Sequence, residues 1–159
     1  AASDVYKRQM QIHNKKIDQS IDKNIIGTAN ITKVCFNQNI KLIYMSTCYV
    51  YPGTKGNYSE ISSLKPINNY AWSKLGGECA VMLYNNSLIL RASVTEKPFV
   101  HKGAFKDFYT NFIFHEDLIP KILKVIDQRG IINIGGKSQS VYNFIKKHNP
   151  RIKKYSAKN

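Results

Sequence analysis

The sequence predicts an α/β domain with a largely parallel sheet. Stretches with apolar residues at helical spacing alternate along the chain with short apolar runs typical of buried strands. Turn-forming residues separate these segments, and no internal repeat or low-complexity tract is present. Because parallel strands need a crossover connection that is usually helical, this alternation favours a parallel sheet.

The first half of the chain contains two predicted helices, each followed by a predicted strand. Apolar residues recur at helical spacing over residues 18–37, and the apolar run at 41–46 predicts a buried strand. A loop with Pro and Gly follows at 51–57. A second helix is predicted over 69–84 and a second buried strand over 87–91.

The second half repeats the alternation in shorter elements. A helix is predicted over 116–128, with Pro120 in its first turn, where a missing N–H does little harm. A strand is predicted over 130–134. Ser138 or Ser140 is then expected to cap a last short helix.

Composition limits the classes of function. A length of 159 residues suits one hydrophobic core. The formal net charge of +14 raises the question of nucleic-acid binding, since Lys-rich surfaces bind phosphates. No zinc finger or aromatic RNA-binding motif accompanies the charge, so a Lys-rich compositional bias is the favoured explanation. Basic residues cluster only near the C-terminus, at Lys146, Lys147, Arg151, Lys153, Lys154 and Lys158.

The sequence also indicates the cellular setting. No apolar run reaches the ~18 residues of a membrane span, and no signal peptide is recognisable, which predicts a soluble cytoplasmic protein. The three cysteines, Cys35, Cys48 and Cys79, form no CxxC pair. They are therefore expected to be free thiols in a reducing compartment, with neither a disulfide framework nor a metal site.

Residues with a capacity for proton transfer lie where a parallel sheet binds ligands, beyond the carboxyl ends of its strands. Tyr70 and Lys74 are four residues apart and so share one face of the second helix. An ammonium group near a phenol favours the phenolate and lowers its pKa. Thr47 or Ser46, at the end of the preceding strand, is placed to hold a substrate oxygen. Tyr and Lys at this spacing are also common on helix surfaces, so the interpretation depends on the surrounding motifs.

Four motifs in a fixed order give that context. They are NIIGT at 24–28, KLIYMSTCYVYPG at 41–53, YAWSKLGGE at 70–78 and LILR at 88–91. Together they resemble the extended short-chain dehydrogenases/reductases that act on nucleotide sugars, the NAD-dependent epimerase/dehydratase superfamily. The string at 46–53 is most similar to the dTDP-4-dehydrorhamnose reductase group, and the resemblance extends over residues 13–148.

The resemblance implies a Rossmann-like, doubly wound parallel sheet with a small substrate-binding portion, NAD or NADP as cofactor and a nucleotide sugar as substrate. It implies that Thr47 orients the substrate, that Tyr70 is the catalytic acid, and that Lys74 lowers the pKa of Tyr70 and contacts the nicotinamide ribose. Tyr70, Lys74 and Ser93 are the expected cofactor contacts. Asn24 corresponds to a residue with a structural role.

Three activities remain open within this resemblance: a reductase acting at a sugar C4 carbonyl, a 4-epimerase, and a noncatalytic sugar-nucleotide-binding module. Dehydration is disfavoured because Cys48 and Tyr49 follow Thr47 where the dehydratases of the superfamily have an acidic pair. Arg91 is equally suited to brace the sheet or to touch substrate.

A glycine-rich GxGxxG or GxxGxxG turn, which receives the cofactor pyrophosphate in this fold, does not occur in the sequence. The chain is therefore expected to be the C-terminal part of a longer enzyme, inactive in isolation, and poorly soluble or homo-oligomeric. The expected organisation is a non-native leader at 1–9, a Rossmann-like part at 10–94, a small substrate-binding portion at 95–148 and a basic tail at 149–159.

Overall fold

The computed structural model describes residues 16–157. The leader predicted at 1–9 and Lys158 of the basic cluster lie outside the described residues. The first helix, α1, consists of three successive segments: α-helical Ile17–Ser20, π-helical Ile21–Ile26 and α-helical Gly27–Asn37. This confirms the helix predicted over 18–37, and the π-helical turn packs against the next helix.

A parallel three-stranded sheet forms the centre of the molecule. Its strands are β1 (Leu42–Thr47), β2 (Ser87–Ala92) and β7 (Gly130–Ile134), in the order β1-β2-β7. All three strands were predicted, with boundaries within one residue. Every residue of β2 is buried, as its middle position and its continuous apolar sequence require.

Helix α2 (Asn69–Val81) connects β1 to β2. The side chain of Asn68 caps it by accepting a hydrogen bond from the backbone N–H of Ala71 at 2.8 Å. The helix ends three residues earlier than the predicted limit at residue 84.

The rest of the described chain forms helices α3 (His115–Val125) and α4 (Val141–Lys146) and three small strand pairs. These pairs are β3 (Val94–Thr95) with β6 (Ile113–Phe114), β4 (Gly103–Phe105) with β9 (Lys153–Tyr155), and β5 (Tyr109–Thr110) with β8 (Gln139–Ser140). Strand β9 lies within the segment predicted as a basic tail, so part of that segment is folded onto the domain.

The structure confirms the predicted helix cap at Ser140 but not the predicted position of Pro120 in the first turn of its helix. Ser140 caps α4, because its Oγ accepts a hydrogen bond from the backbone N–H of Asn143 at 3.2 Å. Pro120 lies in the second turn of α3 rather than in the first. The helix begins at His115, and the missing N–H of Pro120 leaves the carbonyl of Glu116 without its usual helical donor. Both residues are exposed, so water can satisfy that carbonyl.

Apolar side chains cover the sheet on both faces. Leu88 and Leu90 of β2 pack with Leu118, Ile122 and Val125 of α3 on one face. On the other face, Tyr44 and Ile89 pack with Val81 of α2. Helices on both faces of a parallel sheet confirm the predicted α/β fold class. Because the strands are parallel, their carboxyl ends at Thr47, Ala92 and Ile134 meet at one edge.

Candidate active site

Thr47 is the last residue of β1 and is 5% exposed. Its Oγ1 accepts a hydrogen bond from the backbone N–H of Tyr49 at 3.3 Å, and the chain then makes a single 3₁₀ turn over Cys48–Val50. The threonine therefore acts as the N-cap of this turn. This local bond holds the hydroxyl at the carboxyl edge of the sheet.

Cys48 is partly buried between Thr47 and the chain that follows β2. Its thiol hydrogen-bonds with the side chains of Ser93 and Thr47. Burial raises the pKa of the Cys48 thiol, so the protonated form predominates at neutral pH. Cys48 is thus a neutral polar link in this cluster and not an activated nucleophile.

Ser93 follows β2 directly and is 1% exposed. Its N–H donates to the carbonyl of Ile134 at 2.9 Å, and its carbonyl accepts from the N–H of Ile113 at 3.1 Å. Its Oγ lies 3.4 Å from Oγ1 of Thr110. The main chain at Ser93 is therefore fixed by both the central sheet and the C-terminal elements. Its contact with a cofactor stays a prediction.

Tyr70 lies in the first turn of α2, close enough to Cys48 for the two groups to interact electrostatically. Burial, and then Cys48, raise the pKa of Tyr70. The lowered pKa expected from Lys74 is therefore wrong for this arrangement. Burial and Cys48 account for the raised pKa of Tyr70, and the Lys74 ammonium lies over the ring of Tyr44, 4.1 Å from its centroid.

Lys74 is half-buried one turn after Tyr70. Burial lowers its pKa to about 8, and the neighbouring carboxylate of Glu78 opposes that shift. The Tyr44 hydroxyl donates to the carbonyl oxygen of Lys74 at 3.1 Å. The sequence did not indicate a role for Tyr44 at the site. Tyr44 is 30 positions from Lys74 and lies in the apolar run 41–46, which predicts only a buried strand.

Helix α1 holds α2 through polar contacts and close packing. Asn24 Nδ2 donates to Ser73 Oγ at 2.9 Å, and Ser73 Oγ donates to the carbonyl of Tyr70 at 2.8 Å. Gly77 allows the close approach, since a Cβ there would lie 2.5 Å from the carbonyl oxygen of Asn24. These contacts support the structural role expected of Asn24.

A buried ion pair lies beneath the site. Arg91 is 2% exposed and Glu78 is fully buried, and Arg91 Nη2 donates to Glu78 Oε2 at 2.8 Å. Arg91 Nε donates to both carboxylate oxygens, at 3.1 and 3.2 Å. Ser46 Oγ donates to the same carboxylate. Arg91 therefore links the sheet to α2. Of the two roles that the sequence left open for Arg91, bracing the sheet or touching substrate, these contacts support the first.

The ion pair also anchors the loop after β1. Arg91 Nη1 donates to the Tyr51 hydroxyl at 2.8 Å and to the carbonyl of Glu60 at 3.1 Å. The Tyr51 hydroxyl donates to Asn133 Oδ1 at 2.9 Å, and Glu60 Oε1 accepts from the Asn133 N–H at 2.8 Å. In the sequence, this network is indicated only by Arg91 at the end of an apolar predicted strand and by Glu78 within a predicted helix.

The cluster combines a protonated phenol, an ammonium that titrates near pH 8 and two hydroxyl groups at one sheet edge. Such groups can donate a proton to an oxygen and hold neighbouring hydroxyls by hydrogen bonds. Over residues 16–157, His, Cys, Asp and Glu form no group able to hold a metal ion. No helix in this range is both long and apolar enough to cross a membrane.

The fold and this arrangement correspond to a known class of proteins. The family described as the RmlD substrate-binding domain matches residues 8–130, and the chain belongs to this family. The structure is similar to dTDP-4-dehydrorhamnose reductase of Bacillus anthracis str. Ames, crystallised in complex with NADP, with a TM-score of 0.82 and 25% identity. That match covers 94% of this chain and 62% of the reductase chain.

Two curated relatives have different names. Methionine adenosyltransferase 2 subunit beta of Xenopus laevis is 39% identical over 72 residues, which cover 45% of this chain and 22% of that protein. The dTDP-4-keto-6-deoxy-D-glucose reductase of Streptomyces niveus is 39% identical over 57 residues, which cover 35% of this chain and 20% of that protein. The matches thus span about a fifth of each curated relative.

Proposed function

We propose that the protein takes part in the NAD(P)-dependent reduction of a nucleotide sugar at a C4 carbonyl. The observation that carries this proposal is the clustering of Tyr70 with Cys48, Thr47 and Ser93 at the carboxyl edge of the sheet. Reduction of a carbonyl needs a proton donor at the oxygen while a hydride arrives at the carbon. A phenol whose pKa is raised is protonated at neutral pH and can fill that role.

Each residue has a separate part in the proposed reaction. Thr47 would hold the sugar oxygen by a hydrogen bond, and Tyr70 would give its proton to that oxygen as the C4 carbonyl becomes an alcohol. Lys74 would hold ribose hydroxyls of the cofactor through its ammonium group. Ser93 would contact the nicotinamide end. The proton that Tyr70 loses would then be replaced from solvent.

The polar groups present fit the nicotinamide-ribose end of NAD or NADP, since Tyr70 and Lys74 offer a hydroxyl and an ammonium at the sheet edge. When bound, the reduced cofactor supplies the hydride. A glycine-rich turn for its pyrophosphate does not occur among the 159 residues. We therefore expect the 159-residue chain by itself to bind NADPH weakly and to be inactive.

A 4-epimerase would use the same three residues, Thr47, Tyr70 and Lys74. The reductase is favoured by the names of the structural and curated relatives. A noncatalytic role is also supported, because another relative is named as a subunit of methionine adenosyltransferase. In that second candidate function the domain binds a sugar nucleotide or dinucleotide and assembles with a partner enzyme.

The test uses the native full-length gene product with NADPH and dTDP-4-dehydrorhamnose as the probe substrate. Reduction is followed by loss of the absorbance of the reduced nicotinamide and by identification of the sugar product. We expect turnover, and we expect Tyr70→Phe to lower kcat by about 10²- to 10⁴-fold. Tyr155→Phe, on strand β9, is the matched control and should retain activity.

The outcomes separate the candidates. Interconversion of epimers without net consumption of NADPH would identify the epimerase. Tight NADPH or sugar-nucleotide binding without turnover, unchanged by Tyr70→Phe, would identify the noncatalytic module. Equal activity of Tyr70→Phe and the unsubstituted protein would overturn the assignment of Tyr70.

A further inference from the structure

The ring of Tyr44 and the ammonium of Lys74 form a contact that the proposed reaction does not use. Tyr44 lies in the middle of β1 and is 8% exposed. Lys74 Nζ lies 4.1 Å from the centroid of its ring, within the range in which an aromatic face attracts a cation. The contact joins a strand residue to a helix residue 30 positions away.

The phenol of Tyr44 is held on two sides. Its hydroxyl donates to the carbonyl oxygen of Lys74 at 3.1 Å, and the side chain of Thr28 hydrogen-bonds to the same phenol from α1. Burial raises the pKa of Tyr44, so the ring carries no charge at any working pH. The ring is therefore a fixed, neutral surface.

Space for this phenol depends on Gly77. A Cβ at position 77 would lie 2.3 Å from the Tyr44 hydroxyl oxygen, a distance that no side chain could occupy without displacing the ring. Strand β1, helix α1 and helix α2 thus converge on one aromatic side chain, whose face carries the ammonium.

We propose that Tyr44 is the positioning residue for Lys74, holding its ammonium on the aromatic face so that Lys74 is in place before cofactor binds. This proposal rests on the proposed role of Lys74. A lysine side chain has four rotatable bonds, and fixing its end in advance lowers the entropy lost when it engages a ribose. Tyr44 acts through Lys74 and does not itself touch the reacting atoms.

Burial and one carboxylate act on the charge of Lys74 in opposite directions. Burial lowers its pKa, and Glu78 on the same helix raises it. Tyr44 lies against the ammonium, and Tyr70 interacts electrostatically with Tyr44. Thr28 on α1 contributes an uncharged hydroxyl. Removal of the Tyr44 ring should therefore remove one stabilising interaction of the charged amine.

The experiment measures Lys74 directly, without an activity assay. Lysines of the full chain are dimethylated with carbon-13 formaldehyde, which preserves their positive charge, and are titrated by NMR. The Lys74 signal is assigned by its loss in Lys74→Gln. We expect its methyl protons to be shifted upfield by the ring current of Tyr44, and its titration to fall well below that of the surface lysines.

Two variants separate ring from hydroxyl. Tyr44→Phe keeps the ring and should retain the upfield shift of Lys74. Tyr44→Leu should abolish the upfield shift. It should also lower the midpoint of the Lys74 titration by about half a pH unit, which corresponds to the loss of a cation–π interaction at a partly exposed site. A Tyr44→Leu spectrum equal to that of the unsubstituted protein would overturn the proposal.

The absence of the upfield shift in the unsubstituted protein would overturn the proposal equally, even if Tyr44→Leu did not fold. Failure of the proposed function is a separate result. It would leave these NMR shifts intact while the gene product showed no NADPH-dependent turnover. If turnover is present, the alkaline limb of kcat/KM should move with the Lys74 midpoint in Tyr44→Leu and not in Tyr44→Phe.

Discussion

Arg91 and Glu78 form an ion pair in which both side chains are excluded from solvent, with Nη2 and Oε2 2.8 Å apart. Arg91 belongs to the middle strand of the sheet and Glu78 to the helix that carries Tyr70 and Lys74. The pair therefore joins the sheet to the helix of the candidate site, and further hydrogen bonds extend it to the loop after β1.

Glu78→Gln should destabilise the fold by about 3 kcal/mol or more, because it leaves the Arg91 cation buried without its counter-charge. Urea unfolding followed by circular dichroism measures this change. The matched control is Glu116→Gln, which breaks the exposed ion pair with Lys97 and should leave stability nearly unchanged. Similar effects of the two substitutions would contradict the structural role of the buried pair.

Gly77→Ala should destabilise the protein by about 1–3 kcal/mol, because the new methyl group would meet the Asn24 backbone and the Tyr44 phenol. Gly76→Ala is a control in the same helix. Its methyl group would meet only the flexible side chain of Ile25, and alanine also favours helix formation. Thermal unfolding of both variants measures the two changes in stability. A larger loss of stability for Gly76→Ala than for Gly77→Ala would contradict the close approach of α1 and Tyr44 to Gly77.

The pH dependence of stability should contain a contribution from Lys74, whose pKa is about 8 in the folded protein and 10.5 as the ordinary value. Between these two pH values the unfolded state binds more protons than the folded state. The contribution of Lys74 to the free energy of unfolding therefore rises with pH over that window and is level outside it.

Lys74→Met removes this contribution. The difference in unfolding free energy between the unsubstituted protein and Lys74→Met should rise from pH 8 to 10.5, as measured by urea unfolding at several pH values. The exposed Lys124→Met provides the control and should give a flat difference. A flat difference for Lys74→Met as well would show that burial does not lower the pKa of Lys74.

Self-association is expected at the free edge of β1. Among residues 16–157, β1 pairs with β2 alone, and Met45 of β1 is 36% exposed. Helix α1, which precedes β1 in the chain, exposes Ile31 and Val34, at 55% and 54%. An unpaired strand edge and exposed apolar side chains both favour association with another chain.

Sedimentation velocity over a range of concentrations should therefore show association of the 159-residue chain. Met45→Lys places a charge on the edge and should weaken the association several-fold. Met82→Lys adds the same charge at an exposed position after α2 and should have little effect. Equal effects of both substitutions would indicate a general influence of charge and not pairing at β1.

The sequence by itself determined the order and type of the main elements and the α/β class. Their apolar patterns are local, and local periodicity identifies a helix or a buried strand directly. It also determined that Tyr70 and Lys74 share a helix face, since spacing alone decides that. Helix ends and the short strand pairs of the C-terminal half were less predictable, because strands of two or three residues are too short to show a periodicity.

Only the tertiary structure decided how the charges of the site are arranged. Lys74 lies over Tyr44, and Tyr70 is half-buried near Cys48, so the Tyr70 phenol has a raised pKa and not the lowered one expected from its spacing to Lys74. The role of Arg91 likewise depends on the tertiary structure, because the ion pair with Glu78 joins the sheet to α2. These partners are far apart in sequence, and the packing of α1 and α2 on the sheet brings them together. A pKa depends on burial and on neighbouring groups in space, which spacing along the chain does not specify.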